Sequence, residues 1–152
     1  MGVEFVTASA DHIEAIARNM RHADVMEAAA SGYPDPVKAL SDSLAHSSMA
    51  VSAIIDGNPA AMFGASDINI LASIGAPWML ATPAVSSDMR RFLRQSIHWR
   101  GQLLERYDTL RNVVDDRNHA AKRWLAWMGF RFSEPMPIGV NGEMFRVFEL
   151  RR

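Results

Sequence analysis

Apolar residues recur every second position in some stretches of the chain and every third or fourth in others, and the switches between the two periods divide it into elements. "VEFVTAS", residues 3–9, alternates and predicts a first strand. Ile13, Ile16, Ala17 and Met20 then fall at i, i+3, i+4 and i+7, one face of a helix. Asp11 and Glu14 stand ahead of them in the D-x-x-E spacing of a capping box. A second short helix runs through "HADVMEAAAS" to a stop at Gly32. Asp35-Pro36 opens a third, because proline is tolerated at the first helical position, and Val37, Leu40 and Leu44 give its apolar face.

Three strands follow. "MAVSAII" and "AAMFGAS" flank Asp56-Gly57-Asn58-Pro59, a hairpin signal in which Gly57 supplies a positive φ and Asn58 tolerates one. "APWMLAT" is the fourth strand. After Pro83 the longest helix is expected from Ser87 to Tyr107. Met89, Phe92, Leu93, Ile97, Leu103, Leu104 and Tyr107 lie on one stripe, with Arg90, Arg91, Arg94 and Arg106 largely off it. "TLRNVVD" reads as the fifth strand, a helix over 118–128 is stopped by Gly129, and "FRFSE" and "EMFRVFELRR" close the chain as strands around the turn Asn141-Gly142. This order predicts an α/β fold, a mixed β-sheet with helices on both faces, in a single domain over residues 1–152.

Composition narrows the chemistry more than the fold. The chain has 152 residues, 49% hydrophobic and 22% charged, enough to build a core without staples. A net charge of −1 gives no global field to recruit nucleic acid or an anionic membrane. Arg90, Arg91, Arg94, Arg100 and Arg106 are accordingly expected to form a solvated helix face paired with Asp88 and Glu105. The absence of cysteine removes disulfides, thiolate nucleophiles and sulfur-ligated metals. His12, His22, His46, His98 and His119 stand singly, so no metal site is expected. No apolar run approaches the ~20 residues of a membrane span, and the first residues lack the pattern of a signal peptide. Of the four tryptophans, Trp78 and Trp124 are expected in the core, while Trp99 and Trp127 flank their stripes, where plain packing stands against a half-exposed contact role.

Asn118, Ala121, Trp124, Leu125, Gly129 and Phe130 match in spacing the late N-x-x-A-x-x-L-Y-x-x-x-G-F pattern of the GNAT family of N-acetyltransferases, and the "DGNP" hairpin falls where that family turns between its second and third strands. The chain thus resembles a GNAT protein over nearly its whole length. The resemblance implies a GNAT-like fold whose fourth and fifth strands splay apart around the pantetheine arm of acetyl-CoA. It places Met79, Leu80 and Ala81 along that arm, and Ser86, Ser87, Arg90 and Arg91 at the diphosphate. Asn118 would line the cofactor beside the fifth strand.

Two departures from the family pattern bear on activity. The phosphate loop of the family, Q/R-x-x-G-x-G/A, is replaced by "ATPAVSSDMRRF", which has no glycine and carries Asp88 in the first turn, where a carboxylate caps a helix but opposes a diphosphate. The tyrosine that many members use as general acid falls on Leu125, which has no proton to give. Asp115 and Asp116 read as solvated loop carboxylates, so no catalytic residue is assigned. A narrower resemblance, in "ERYDTL" and the tryptophan strand before it, is to internal virion proteins of podoviruses. It implies a largely non-catalytic phage assembly or internal virion protein with a degraded acyl-CoA site. Such a protein would work in the host cytoplasm or the particle, through other virion proteins or copies of itself. The alternatives are an acyl-CoA-dependent N-acyltransferase acting on a small amine or protein amine, and an acyl-CoA-binding module without turnover.

Overall fold

Caps and turn residues set most element boundaries in the computed structural model, which describes residues 2–152. The strands are β1 (Val3–Thr7), β2 (Met49–Ile55), β3 (Asn58–Asn69), β4 (Ile74–Ala81), β5 (Thr109–Asp115), β6 (Arg131–Phe132) and β7 (Phe145–Arg151). The helices are α1 (Ile13–Arg18), α2 (His22–Ala30), α3 (Pro36–His46), α4 (Met89–Arg106) and α5 (His119–Trp127). Asp35 caps α3 through the Val37 N–H, Asn118 caps α5 through that of Ala121, and Gly32 and Gly129, both at positive φ, end α2 and α5.

Several local expectations need correction. The capping box before α1 is built by Ser9 and His12, on a 3₁₀ turn at Ala10–His12, while Glu14 instead pairs with Arg18 one helical turn on. In the β2–β3 hairpin the positive φ values fall on Asp56 and Gly57, so Asn58 is already strand. Val37 is 44% exposed, because Ala39 and Leu40 take the inward positions of α3. The long helix begins at Met89, after a 3₁₀ segment at Pro83–Asp88. The residues α4 buries are Phe92, Ser96, Trp99 and Leu103, so Trp99 is core and not a flanking aromatic. Trp78 and Trp124 are half-buried, each with its indole N–H bound, to Ser47 Oγ at 2.7 Å and Ser96 Oγ at 3.0 Å. No ion pair among the described residues joins the α4 arginines to Asp88 or Glu105.

The seven strands form one mixed sheet in the order β1-β2-β3-β4-β5-β7-β6, with helices on both faces as expected. One face packs α4 and α5 over Phe63, Leu110 and Phe148. The other packs α1, α2 and α3 over Met62 and Leu80, with Ile16 and Leu40 at its centre. Burial of such side chains at about 25 cal/mol per Å² is the main stabilising term of both layers.

All neighbouring pairs are antiparallel except β4 and β5, and that parallel pair is cut short. β3 pairs with β4 from Ala61↔Ala81 down to Asn69↔Ile74, and β5 with β7 from Thr109↔Arg151 to Asp115↔Phe145. Between β4 and β5 only Ile74↔Thr109 and Gly75↔Leu110 remain. The sequence supplies a reason two residues further on. Pro77 has no N–H to give a ladder, and its C=O accepts from the Asn112 side chain at 2.9 Å. A strand residue points its N–H and C=O to the same side. Pro77 therefore spends its missing donor on the β5 side and leaves the β3 ladder intact. Below the divergence, the Tyr107 ring packs so tightly under Gly75 that a Cβ there would lie 2.6 Å from it.

Candidate functional site

The divergence of β4 and β5 opens a cavity of about 320 Å³ that passes through the sheet. Its walls come from both faces: Glu27, Ala28 and Tyr33 from the α2–α3 side, Trp99, Leu103, Trp124 and Leu125 from the α4–α5 side. Pro77 to Leu80 of β4 and Leu110, Asn112, Val113 and Val114 of β5 form its edges.

Met79 and Leu80 lie in this wall. Ala81 lies beyond it and is fully buried. Its N–H donates to Asp24 Oδ2 at 3.0 Å and its C=O accepts from the Arg21 N–H at 2.8 Å. By the two-residue period of a strand, Pro77, Met79 and Ala81 all point their polar groups toward the split. Asn112 takes the Pro77 carbonyl, and Asp24 and the Arg21 N–H take the two groups of Ala81, so Met79 is left presenting its N–H and C=O to the cavity. Ser86, Ser87, Arg90 and Arg91 are exposed at the 3₁₀ segment and the start of α4, outside the cavity walls. Asp88 caps α4 as expected, accepting from the Arg91 N–H at 3.3 Å.

Asn118 is 1% exposed and is not part of the wall. Its Oδ1 caps α5, and its Nδ2 donates to Asp24 Oδ1 at 2.9 Å and Glu27 Oε1 at 3.3 Å. It ties the α2 carboxylates to the end of β5. Asp24 is itself paired with Arg21 at 2.9 Å.

Glu27 is the functional candidate that the sequence reading missed. It is half-buried in the cavity wall, and its Oε1 also accepts from the Asp115 N–H at 2.8 Å. Burial pushes its carboxyl up from 4.5 to about 7. The Asp115 N–H and the Asn118 amide pull it down, while the Asp24 and Asp115 charges add to the rise. A carboxylate near 7 in a cleft is suited to accept a proton at neutral pH. Asp24 and Glu27 stand i, i+3 on one face of an alanine-rich helix, a spacing equally compatible with a solvent-facing pair, so the sequence alone does not mark Glu27.

Asp115 and Asp116 are not free loop carboxylates. Asp115 is buried, which raises it, yet hydrogen bonds from the Arg117 side chain and N–H hold it below the usual carboxylate range. Asp116 lies between Arg146 at 2.6 Å and Lys122 at 2.9 Å, which hold it at about 2. Both are poor proton acceptors at neutral pH. Tyr33, on the cavity wall, donates its hydroxyl to Asp42, which raises its pKa. Among the described residues no group of three or more His, Asp or Glu is placed to hold a metal, and no helix is long and apolar enough to cross a membrane.

No protein-family model and no curated protein sequence matches the chain. Solved structures do. An N-acetyltransferase from Staphylococcus aureus Mu50 aligns at a TM-score of 0.71 and 12% identity, over 99% of both chains. The protein yncA of Salmonella typhimurium, solved with its cofactor acetyl-CoA, gives 0.71 and 16%, covering 99% of this chain and 94% of its own. The ribosomal-protein-S18-alanine N-acetyltransferase from Escherichia coli gives 0.67 and 15%, covering 98% and 93%. The chain therefore has the GNAT fold. Nothing in these comparisons supports the expected likeness to podovirus internal virion proteins.

Proposed function

We propose that this chain is an acyl-CoA-dependent N-acyltransferase that uses Glu27 as its proton acceptor. The observation that carries the reading is the cavity through the β4–β5 divergence, with a carboxyl near pKa 7 in its wall. Acyl-CoA fits this site in two unequal parts. The pantetheine arm, an extended chain with two amides, suits the cleft edge where the Met79 N–H and C=O lack a strand partner. The diphosphate seat has no glycine and has one helix-start N–H engaged by Asp88, so it falls to the side chains of Ser86, Ser87, Arg90 and Arg91. When bound, the coenzyme supplies the acyl group as an activated thioester.

The chain's own residues do the rest. Apolar walls from Leu125, Trp124 and Leu103 exclude water from the thioester. Glu27 Oε2, on the opposite side of the sheet, takes the proton from an incoming ammonium group as its nitrogen becomes nucleophilic. Leu125 has no proton to return, and the Tyr33 hydroxyl on the same wall is engaged by Asp42. The virion-assembly reading rests on no comparable feature; the exposed Trp127 alone does not define a contact.

Thermal unfolding with free CoA and with acetyl-CoA tests the proposal. At a hundredfold excess over the dissociation constant, binding stabilises the fold by about 2.7 kcal/mol. That is roughly 5–10 °C for a chain of this size. No shift at millimolar ligand overturns it.

A further inference from the structure

The cavity does not end at Tyr33. A second, open hollow adjoins it on the α2–α3 face, and the two share Tyr33, Ser43, Trp78 and Asn112 in their walls. The outer wall of this hollow adds Asp42 and His46 of α3 and Ser66 of β3. Together they make one groove that starts at Glu27 and opens to solvent past Asp42.

Two half-buried carboxyl groups stand along this groove. Glu27 Oε1 touches the Asp115 N–H, whereas Asp42 shares its hollow with Asn112, three residues back along β5. Three strand residues span roughly 10 Å, which sets the separation of the two groups. Neither carboxylate has an ion pair among the described residues, and Lys38, one turn before Asp42 on α3, is exposed and does not pair with it. The basic side chain in the groove wall on this face is His46, whose Nδ1 donates to the Asp42 carbonyl at 2.7 Å. Tyr33 and Trp78, common to both hollows, carry the wall between the carboxylates. Their polar atoms are taken by Asp42 and by Ser47 Oγ, so they offer ring surface, suited to methylene groups and to a cation at either end. A monoamine held at Glu27 leaves Asp42 unmatched.

We infer that the acyl acceptor is a linear diamine, its reacting ammonium at Glu27 and its second ammonium at Asp42. The span suits a chain of the length of cadaverine once each ammonium takes a charge-assisted hydrogen bond of ~2.8 Å. The inference rests on the acyltransferase reading and names the acceptor for it. In the transfer, the nitrogen at Glu27 bonds to the acyl carbon as the carbon–sulfur bond breaks. Of the two protons that nitrogen sheds, Glu27 accepts one and the departing thiolate keeps the other as a thiol. The second ammonium stays charged at Asp42 and fixes how far the chain enters the groove.

Cadaverine, hexylamine and 6-aminohexanoate share one methylene chain and end it in an ammonium, a methyl and a carboxylate. Titration of each at pH 8, followed by NMR on the Trp78 indole N–H, tests the inference. Cadaverine is expected to bind about five- to tenfold tighter than hexylamine, and 6-aminohexanoate most weakly. Asp42→Asn, which keeps an acceptor for the Tyr33 hydroxyl, should bring the ratio of cadaverine to hexylamine affinity toward one. Asp35→Asn removes the same charge at the start of α3, outside the groove, and should leave that ratio in place. Equal binding of cadaverine and hexylamine by the unaltered chain overturns the inference, as does a ratio that survives Asp42→Asn or falls as far in Asp35→Asn. If CoA shifts thermal unfolding but cadaverine is not preferred, this inference alone falls. If CoA does not bind, the acyltransferase reading falls and takes the acceptor role with it.

Discussion

Glu27→Gln should make the protein more stable, and increasingly so as pH rises. Glu27 titrates near 7 in the folded chain and near 4.5 when unfolded. Its folded-state pKa is raised, so folding favours the protonated form. The contribution of Glu27 to stability is thus complete below pH 4.5, declines as pH climbs, and is lost once pH passes about 7. The displacement corresponds to at most about 3 kcal/mol, trimmed by the solvent that reaches a half-buried side chain. Against the ~5–15 kcal/mol of a typical domain that is a large share. Glutamine keeps Oε1 as acceptor for the Asp115 N–H and never ionises. Urea unfolding of both proteins between pH 4.5 and 8.5 measures the difference directly. Carboxylates that do not interact with Glu27 titrate alike in both chains and cancel. The two curves should nearly meet at pH 4.5, diverge through pH 7 and run parallel above it, with the variant melting up to roughly 6–12 °C higher at pH 8. A difference that does not change with pH would refute the placement of Glu27. If the same variant also lost acyl transfer, the carboxylate would be shown to serve activity at the expense of stability.

Asn118→Ala removes a helix cap and the donor shared by Asp24 and Glu27, and should cost about 2–4 kcal/mol by denaturant unfolding. Gly75→Ala drives a methyl into the Tyr107 ring, whose hydroxyl is already fixed by Asp67 at 2.6 Å, and should cost roughly 1–3 kcal/mol in thermal melts. Trp127→Ala, at a position 49% exposed, should leave stability within about 0.5 kcal/mol; an unchanged sedimentation coefficient would rule out Trp127 as the contact of a homo-oligomer.

Element type was legible wherever one period ran uninterrupted. β5 came out residue for residue, and α2 and α5 to within a residue, because caps and positive-φ glycines bound them; the start of α3 followed from Asp35-Pro36. The N-terminal turn was misread because Ser9 and His12 make their own reciprocal cap, which the D-x-x-E spacing of Asp11 and Glu14 hides. Trp99 was misread because Ser96 sits inside the buried stripe of α4, so the apolar residues alone trace it incompletely; its Oγ bonds back to the Phe92 carbonyl. The site was half legible. The resemblance pointed to β4, but Glu27 needs a contact across 88 positions, from α2 to the Asp115 N–H, that no local pattern carries. Pro77 was the unread clue, since a proline inside a central strand demands a side that has no ladder.

That proline has a mechanical consequence. With only two residue pairs and one side-chain amide joining them, the plates β1–β4 and β5–β7 meet along a seam far weaker than the ladders within β1–β4 or between β5 and β7. Slow amide exchange should therefore persist longest within each plate, and the earliest cooperative opening of the native protein should run along the seam, parting the molecule into an N-terminal and a C-terminal half.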